Sequence, residues 1–349
     1  MKGRIAILDH LNGREAAALM VDGRLTDLLI DPKPSAIPLP GAIYRGIAER
    51  PLKGQGGLII GLGDGQKGYL RNAREISPGT VMLVQIAANA ERGKAPPVTT
   101  RLLFKGRNAI LTPDAPGRNI ARSVRDDEAR ERMAEIAAEA MADAPDTYGL
   151  ILRSAATAAT PEAILAEISE LRDICCSVLE NTDIQGPGIL LQAPGAHFRA
   201  WRDWTDPEPD QVADHDGSFA EHDLTVMIET LETPMVRLGA LAKMFVEPTR
   251  ALVAVDVNTG GDFSPAAGLK ANIAAARDLP RQLRLRGLGG QIVIDFAPMG
   301  KKDRRQVEQV LKQALRRDSV DTVIVGWSPL GHLELQRKRE RMPLADLFA

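Results

Sequence analysis

Two short apolar runs, each ending in an aspartate and separated by one helix-length segment, constrain this chain more than any other feature. They lie in ALVAVDVNTGGDF, residues 251–263, and QIVIDF, residues 291–296. Both are apolar on successive residues instead of alternating, which predicts strands covered on both faces, as in the parallel layer of an α/β domain. Ala267 to Arg286 supplies a crossover helix, with Pro280 as the place for a kink. A strand–helix–strand unit runs its strands parallel, so Asp256 and Asp295 fall side by side at one sheet edge, about 5 Å apart at the backbone.

The carboxyl ends of parallel strands are where open α/β sheets place ligands. Two carboxylates that close repel unless a positive charge sits between them, and a hard divalent cation, Mg²⁺ or Mn²⁺, meets that need with oxygen ligands. Asn258 shares the face of Asp256 and can hold a carboxylate or phosphate oxygen. Gly260 and Gly261 keep the following loop low enough for a polymer backbone to approach. Asp262 serves either as an outer ligand or as a turn residue. Spacing alone leaves a second reading open for Asp256 and Asp295, as caps of turns or helices at strand ends.

The chain has 349 residues, enough for several domains and a sizeable core. It contains no apolar run of about 18 residues and no signal-peptide pattern, which predicts a cytoplasmic protein without a membrane partner. Its two cysteines, Cys175 and Cys176, are adjacent; they fit neither a disulfide framework nor a zinc hook and read as small buried residues on a helix. The net charge is −2, but residues 270–341 carry 16 Lys and Arg against 8 Asp and Glu, which predicts a basic face aimed at an anionic partner.

Along the chain, IAIL, AAALMV and RLTDLLI read as strands, the last two joined through Asp22-Gly23. The Pro-rich stretch DPKPSAIPLPG marks a boundary before short glycine-punctuated strands with the texture of a small barrel. Arg118 to Met141 predicts an exposed helix, YGLILRS a buried strand, and Thr160-Pro161 the cap and first residue of another helix. Residues 186–217 predict irregular structure; a helix over about 304–317 and a third core strand, TVIVGW, come after it. His197, His215 and His222 lack metal-ligand spacing, and Trp201 with Trp204 reads as a small packing cluster.

ALVAVDVNTGGDF, RQLRLRGLGGQIVIDFAPM and LGHLELQRKR resemble the catalytic segment of the ribonuclease E/G family of bacterial endoribonucleases. GAIYRGIAERPLKGQGGLIIGL with KGYL is similar to that family's S1 RNA-binding barrel, and YGLILRSA to its 5′-sensor region. The resemblance implies an α/β multidomain chain: an RNase H-like part at 1–36, an S1-like, OB-type barrel at 37–100, a 5′-sensor-like region at 101–185, an irregular RNase H-like remainder at 186–235 and a DNase I-like catalytic domain at 236–349. It assigns one Mg²⁺, with Mn²⁺ as the alternative, to Asp256 and Asp295, with Asn258 assisting. The implied reaction is Mg-dependent hydrolysis of single-stranded RNA to 5′-phosphate and 3′-hydroxyl ends.

The resemblance also assigns an RNA grip to Tyr69 and Lys94, with Leu58 at the position of a second aromatic. Tyr69 has a competing reading as a barrel-core residue. Sensing of a 5′ phosphate falls to Arg153, Ser154 and Gly106, with a structural ion pair as the other reading of Arg153. Asp321 stands where the family places a third, arginine contact, leaving Arg316 or Arg317 as substitutes. The family's zinc-binding CPxC hook has no counterpart before Ala349, which implies a short form with no structural zinc and no zinc-linked dimer, while a metal-free homodimer stays open. The alternative to an enzyme is a non-catalytic RNA-binding relative; a phosphatase or a nuclease for DNA or nucleotides explains the paired acids but not the barrel.

Overall fold

The computed structural model describes residues 2–34, 37–51, 56–73, 76–91, 93–181, 186–262 and 264–349. No helix among them is long and apolar enough to cross a membrane. The chain forms two compact units, residues 1–33 with 211–349, and residues 34–210. The fold is mixed α/β.

The first unit begins with an antiparallel meander of β1 (Arg4–Leu11), β2 (Arg14–Val21) and β3 (Arg24–Ile30). Asp22 and Gly23 turn β2 into β3 at φ of 49° and 74°, the positive pair that a tight hairpin turn requires.

The second unit opens with β4 (Ile43–Pro51), β5 (Gly57–Gly63), β6 (Gln66–Arg71), β7 (Val81–Ile86) and β8 (Pro97–Thr99). Among the described residues these pair in the order β4-β5-β6-β8-β7, and β7 returns to β4, closing a five-stranded, OB-like barrel. Alternation sends Leu58, Ile60, Leu62, Leu70 and Val84 into its core. Next come β9 (Phe104–Lys105), β10 (Ala109–Thr112), β11 (Gly117–Ile120), α1 (Asp127–Ala140), β12 (Gly149–Leu152) and α2 (Pro161–Glu180), a small sheet packed by two helices.

The helix expected from Arg118 starts only at Asp127, because residues 117–120 pair with β12. It is also packed on one side, through Met133, Ile136 and Ala137. Thr160 caps α2 by accepting from the Ala163 N–H at 3.3 Å. On that helix Cys175 is buried but Cys176 is exposed, since neighbouring helical residues point about 100° apart. β13 (Gly188–Leu191) adds to β4, and α3 (Ala196–Asp203) comes after it, so the stretch expected to be irregular is partly ordered.

The chain then returns to the first unit. β14 (Gln211–Ala213) pairs parallel with β1, and α4 (Ser218–Glu221) and α5 (Leu224–Glu232) pack Phe219, Leu224, Ile228 and Leu231 on the meander. The remaining elements are β15 (Met235–Arg237), β16 (Lys243–Pro248), β17 (Val253–Asn258), α6 (Pro265–Leu285), β18 (Gly290–Asp295), α7 (Lys301–Arg316), β19 (Thr322–Trp327), β20 (Leu333–Arg337) and α8 (Leu344–Phe348). Their sheet runs β15-β16-β17-β18-β20-β19, with only β17 and β18 parallel. α6 is one helix through Pro280.

Helices α6 and α7 cover one face of this sheet, burying Val253, Val255, Val257, Ile292 and Ile294 with Ala275, Leu279, Val307 and Leu311. The opposite face is open, contrary to the two-sided burial predicted from the apolar runs. Val323 and Val325 on β19 are each 64% exposed on that face and β19 ends the strand order, so TVIVGW is an edge strand and not a third core strand. The open face carries Asp256, Asn258, Gln291 and Asp295. Exposed polar residues are tolerated at alternate positions there because, among the described residues, no helix covers that face.

The basic segment also differs from expectation. Arg281, Arg284, Arg286, Arg337 and Arg341 turn into the unit instead of lining a surface. Arg341 forks onto Asp27, with one bond of 3.0 Å, and Arg284 reaches both Asp27 and Asp318. Arg337, whose side chain is 1% exposed, donates to Asp318 at 2.6 Å and Thr322 at 2.8 Å. Arg281 binds Asp278 at 2.7 and 3.0 Å, and Arg24 reaches the same carboxylate at 2.5 Å. Arg286 donates to Gln282 and to the Thr233 carbonyl. Five of the sixteen basic residues thus point inward, onto Asp278 and Asp318 of the same segment and onto Asp27 and backbone carbonyls from elsewhere in the unit.

Breaking a buried pair strands its partner charge. Asp318→Ala is expected to lower the unfolding free energy by about 3–5 kcal/mol in urea titrations. Burial pushes the Asp278 carboxyl up, but the Arg281 hydrogen bonds and charge, with Gln282 and Arg24, more than offset this and hold it below its ordinary 3.8. Its stabilisation is thus present at neutral pH and lost as the pH falls through 3.8 and below, so Asp278→Asn should flatten the acid limb of a stability-versus-pH curve.

Candidate functional site

The parallel pairing of β17 with β18 sets Asp256 directly beside Asp295. Val255 and Val257 face the helices, so alternation turns Asp256 and Asn258 to the open side together. The Asn258 amide donates to Asp256 Oδ2 at 2.5 Å, occupying one carboxylate oxygen. On the next strand Phe245 lies opposite Asp256, and Lys243 lies opposite Asn258. Asp295 is 65% exposed, and its Oδ1 stands 3.7 Å from Nε2 of His332. Behind Asp295, the fully buried Asn272 of α6 donates to the Ala297 carbonyl at 2.9 Å and accepts from its N–H at 3.0 Å. That clamp fixes the turn by which the chain leaves the acid.

A cleft of about 610 Å³ adjoins Asn258, lined by Arg237, Leu241, Lys243, Phe245 and Gly260 among others. Gly260 has φ 74°, and a Cβ there would lie 2.2 Å from the Leu241 carbonyl oxygen. Close packing within the chain already requires glycine at that position. Asp262 accepts the Ser264 N–H at 2.9 Å, a bond that lowers its pKa, and so acts as a turn residue at the start of α6. The donor set at the edge, two carboxylates in register with an amide holding one of them, fits a hard divalent cation.

A second group of ligand-type atoms, from Asp9, His10 and Asp216, lies within 4.8 Å of one another. Asp9 is otherwise committed: it accepts the N–H groups of His10 at 2.7 Å and Phe219 at 2.9 Å. Burial pushes its carboxyl up, and those N–H bonds outweigh burial to leave it low. Of the remaining histidines, His215 is exposed, while His197 and His222 are half-buried.

In the barrel, Leu58 is 0% exposed and points into the core. Tyr69 is on the other side of the wall, where a Cβ on Gly57 would lie 2.3 Å from its ring. The residue paired with Tyr69 across the strands is Ile59. Leu58 therefore does not share a face with Tyr69, because successive residues of a strand face opposite sides, and Ile59 stands beside Tyr69 instead. Lys94 is exposed and paired with Glu91, on the loop whose Pro96 carbonyl accepts the Tyr69 N–H at 2.8 Å.

Arg153 Nη1 donates to the carbonyls of Gly106 at 2.7 Å, Arg107 at 3.2 Å and Arg202 at 3.1 Å, and Nη2 to Asp203 at 3.2 Å. Burial pushes the Asp203 carboxyl up, but the hydrogen-bonded Arg202 and the charges of Arg153 and Arg199 hold it below the usual range. Gly106 is needed for closeness, since a Cβ would stand 2.1 Å from Glu167 Oε1. Ser154 is half-buried and opens a short 3₁₀ turn. The tryptophans do not form one packing cluster: Trp204 is buried, whereas Trp201 is 50% exposed between Phe198 and the Arg107 guanidinium. Asp321 is exposed just before β19, and Arg316 and Arg317 are exposed at the end of α7.

The profile of the Ribonuclease E/G family matches residues 104–218 and 210–340. The chain belongs to the ribonuclease E/G family. Ribonuclease G of Salmonella typhimurium (strain SL1344) and of Escherichia coli (strain K12) are each 26% identical over 96% of this chain and 80% of their own length. Ribonuclease E of Nostoc sp. (strain PCC 7120) is 26% identical over 88% of this chain, which spans about half of that protein, 52%.

In this ribonuclease E/G family chain, His332, within the LGHLELQRKR segment, is a neighbour of the acids to which the resemblance assigns no role. Alternation in HLEL, with Leu333 and Leu335 buried, puts His332 on the open side, and the β18–β20 register brings it beside Asp295. Ile59 likewise has no role assigned by the resemblance. Leu58→Ala is expected to cost about 2–5 kcal/mol of stability. Ile59→Ala, on the outer face, should cost about 1 kcal/mol or less in the same denaturation experiment.

Proposed function

We propose that the chain is an endoribonuclease of the cytoplasm that hydrolyses single-stranded RNA, with Asp256 and Asp295 holding one Mg²⁺ or Mn²⁺ and Asn258 assisting. The observation that carries this reading is the in-register pairing of the two aspartates on neighbouring parallel strands of a ribonuclease E/G family chain. A divalent ion bound there supplies positive charge to the scissile phosphodiester and activates water. Asn258 fixes the rotamer of Asp256 through its 2.5 Å bond. Lys243, across from Asn258, offers an ammonium to a neighbouring phosphate. The open, weakly apolar sheet face leaves room for an extended strand of RNA.

The barrel takes the role of an S1-type RNA-binding module, with Tyr69 as the stacking surface for bases, Ile59 beside it as an apolar contact and Lys94 for the backbone. Residues 1–36 with 186–235 are assigned to an RNase H-like part, 101–185 to a 5′-sensor-like region and 236–349 to a DNase I-like domain. A 5′ phosphate at Arg153 and Ser154 competes with Asp203, whose carboxylate already takes one side of the guanidinium fork. Sensing is therefore expected to be weak compared with a pocket in which the arginine is unpaired.

The test is cleavage of a short fluorescent A/U-rich single-stranded RNA, carrying either a 5′ monophosphate or a 5′ hydroxyl. Internal cuts should require Mg²⁺ or Mn²⁺, stop in EDTA and leave 5′-phosphate ends on the downstream product. Asp295→Asn should slow them by more than the roughly 10- to 100-fold that outer-shell changes cost at metal centres. Salt-sensitive binding with no cut, equal in wild type and Asp295→Asn, would instead identify a non-catalytic RNA-binding relative.

A further inference from the structure

We infer that His332 is a third, nitrogen ligand to the ion at the Asp256–Asp295 edge, and that it tilts the site towards Mn²⁺ and other first-row transition ions over Mg²⁺. This ligand presupposes the metal site proposed for the two aspartates. Strand β20 pairs antiparallel with β18 in the register Ile294 to Leu333, so one step further His332 comes opposite Asp295. Asp256, Asp295 and His332 thus form one row across three consecutive strands, all on the open face.

The separation suits shared ligation. Donors bound to one ion at about 2.0–2.2 Å stand roughly 3–4 Å from each other. His332 Nε2 and Asp295 Oδ1 are 3.7 Å apart. The imidazole is mounted on a fixed turn: the Ser328 N–H donates to the His332 carbonyl at 2.8 Å, and the His332 N–H donates to Ser328 Oγ at 3.2 Å. Gly331 N–H closes the same turn on the Ser328 carbonyl at 2.9 Å. The ring is two-thirds covered, with 34% of the side chain exposed, which restricts where it can swing.

Asp256 brings the carboxylate oxygen that the Asn258 amide does not hold, and the three ligand atoms, which do not all lie within 4.8 Å of one another, draw in around a bound ion. Magnesium prefers an all-oxygen shell, whereas imidazole suits later divalent ions. A site with two carboxylates and one imidazole therefore gains affinity for Mn²⁺ without gaining it for Mg²⁺.

The experiment is Mn²⁺ titration of the intact protein without RNA, followed by pulsed electron paramagnetic resonance on the bound ion. Wild type should show coupling to one directly bonded ¹⁴N. Coupling should vanish in His332→Leu and persist in His10→Gln, which controls for the other carboxylate–histidine group. Mn²⁺ affinity should fall at least about 10-fold in His332→Leu, while Mg²⁺ affinity by competition changes less than about twofold. Mn²⁺ that binds, is lost in Asp295→Asn and shows no nitrogen coupling would overturn the histidine ligand and leave the carboxylate site standing. Binding indifferent to Asp295→Asn would overturn both.

Discussion

The pairing of Asp27 with Arg341, joined by Arg284 and Asp318, is the interaction on which the first unit depends. Asp27 lies on β3 near the start of the chain, Arg341 near its end, and Arg284 on the helix that crosses between the two acidic strands. Each charge is removed from water, so the arrangement is tolerable only because every carboxylate meets guanidinium groups with hydrogen-bonding geometry. Its effect is to hold α6 at a fixed depth. The aliphatic face of α6 then backs β17 and β18, and Asn272 of the same helix clamps the turn after Asp295.

The row of polar side chains at the sheet edge is a consequence of one covered face and one open face. The covered face sets the register of β17 against β18, because a one-residue slip would turn Val255 and Ile294 to solvent and the acids to the core. The open face leaves Asp256, Asn258 and Asp295 exposed and His332 partly exposed, so polar side chains can stand in a row there. Stability and the paired acids are thus linked through alternation: the same strand supplies the valines that are buried and the aspartate that is not.

Alternation also explains how far the sequence could be read. The βαβ unit, the side-by-side aspartates, the Asp22-Gly23 turn and the Thr160 cap follow from local rules, and the structure contains each of them. The basic excess overstated the exposed charge because a charge count ignores partners: Arg341 turns inward onto Asp27, 314 residues away in the chain. Leu58 misled because a match to an aromatic position says nothing about which side of a barrel wall a residue faces. The open sheet face was illegible because Val323 and Val325 look like core residues, and only the strand order shows that β19 is an edge. His332 needed the β18–β20 register, which no local rule supplies.

The most direct test of the paired-aspartate metal site is anomalous diffraction at the manganese edge from crystals grown with Mn²⁺. The expected result is a peak bonded to the carboxylates of both Asp256 and Asp295, absent from crystals of Asp295→Asn. A peak only at Asp9, His10 and Asp216, with the paired aspartates unliganded in protein that still cuts RNA, would contradict it.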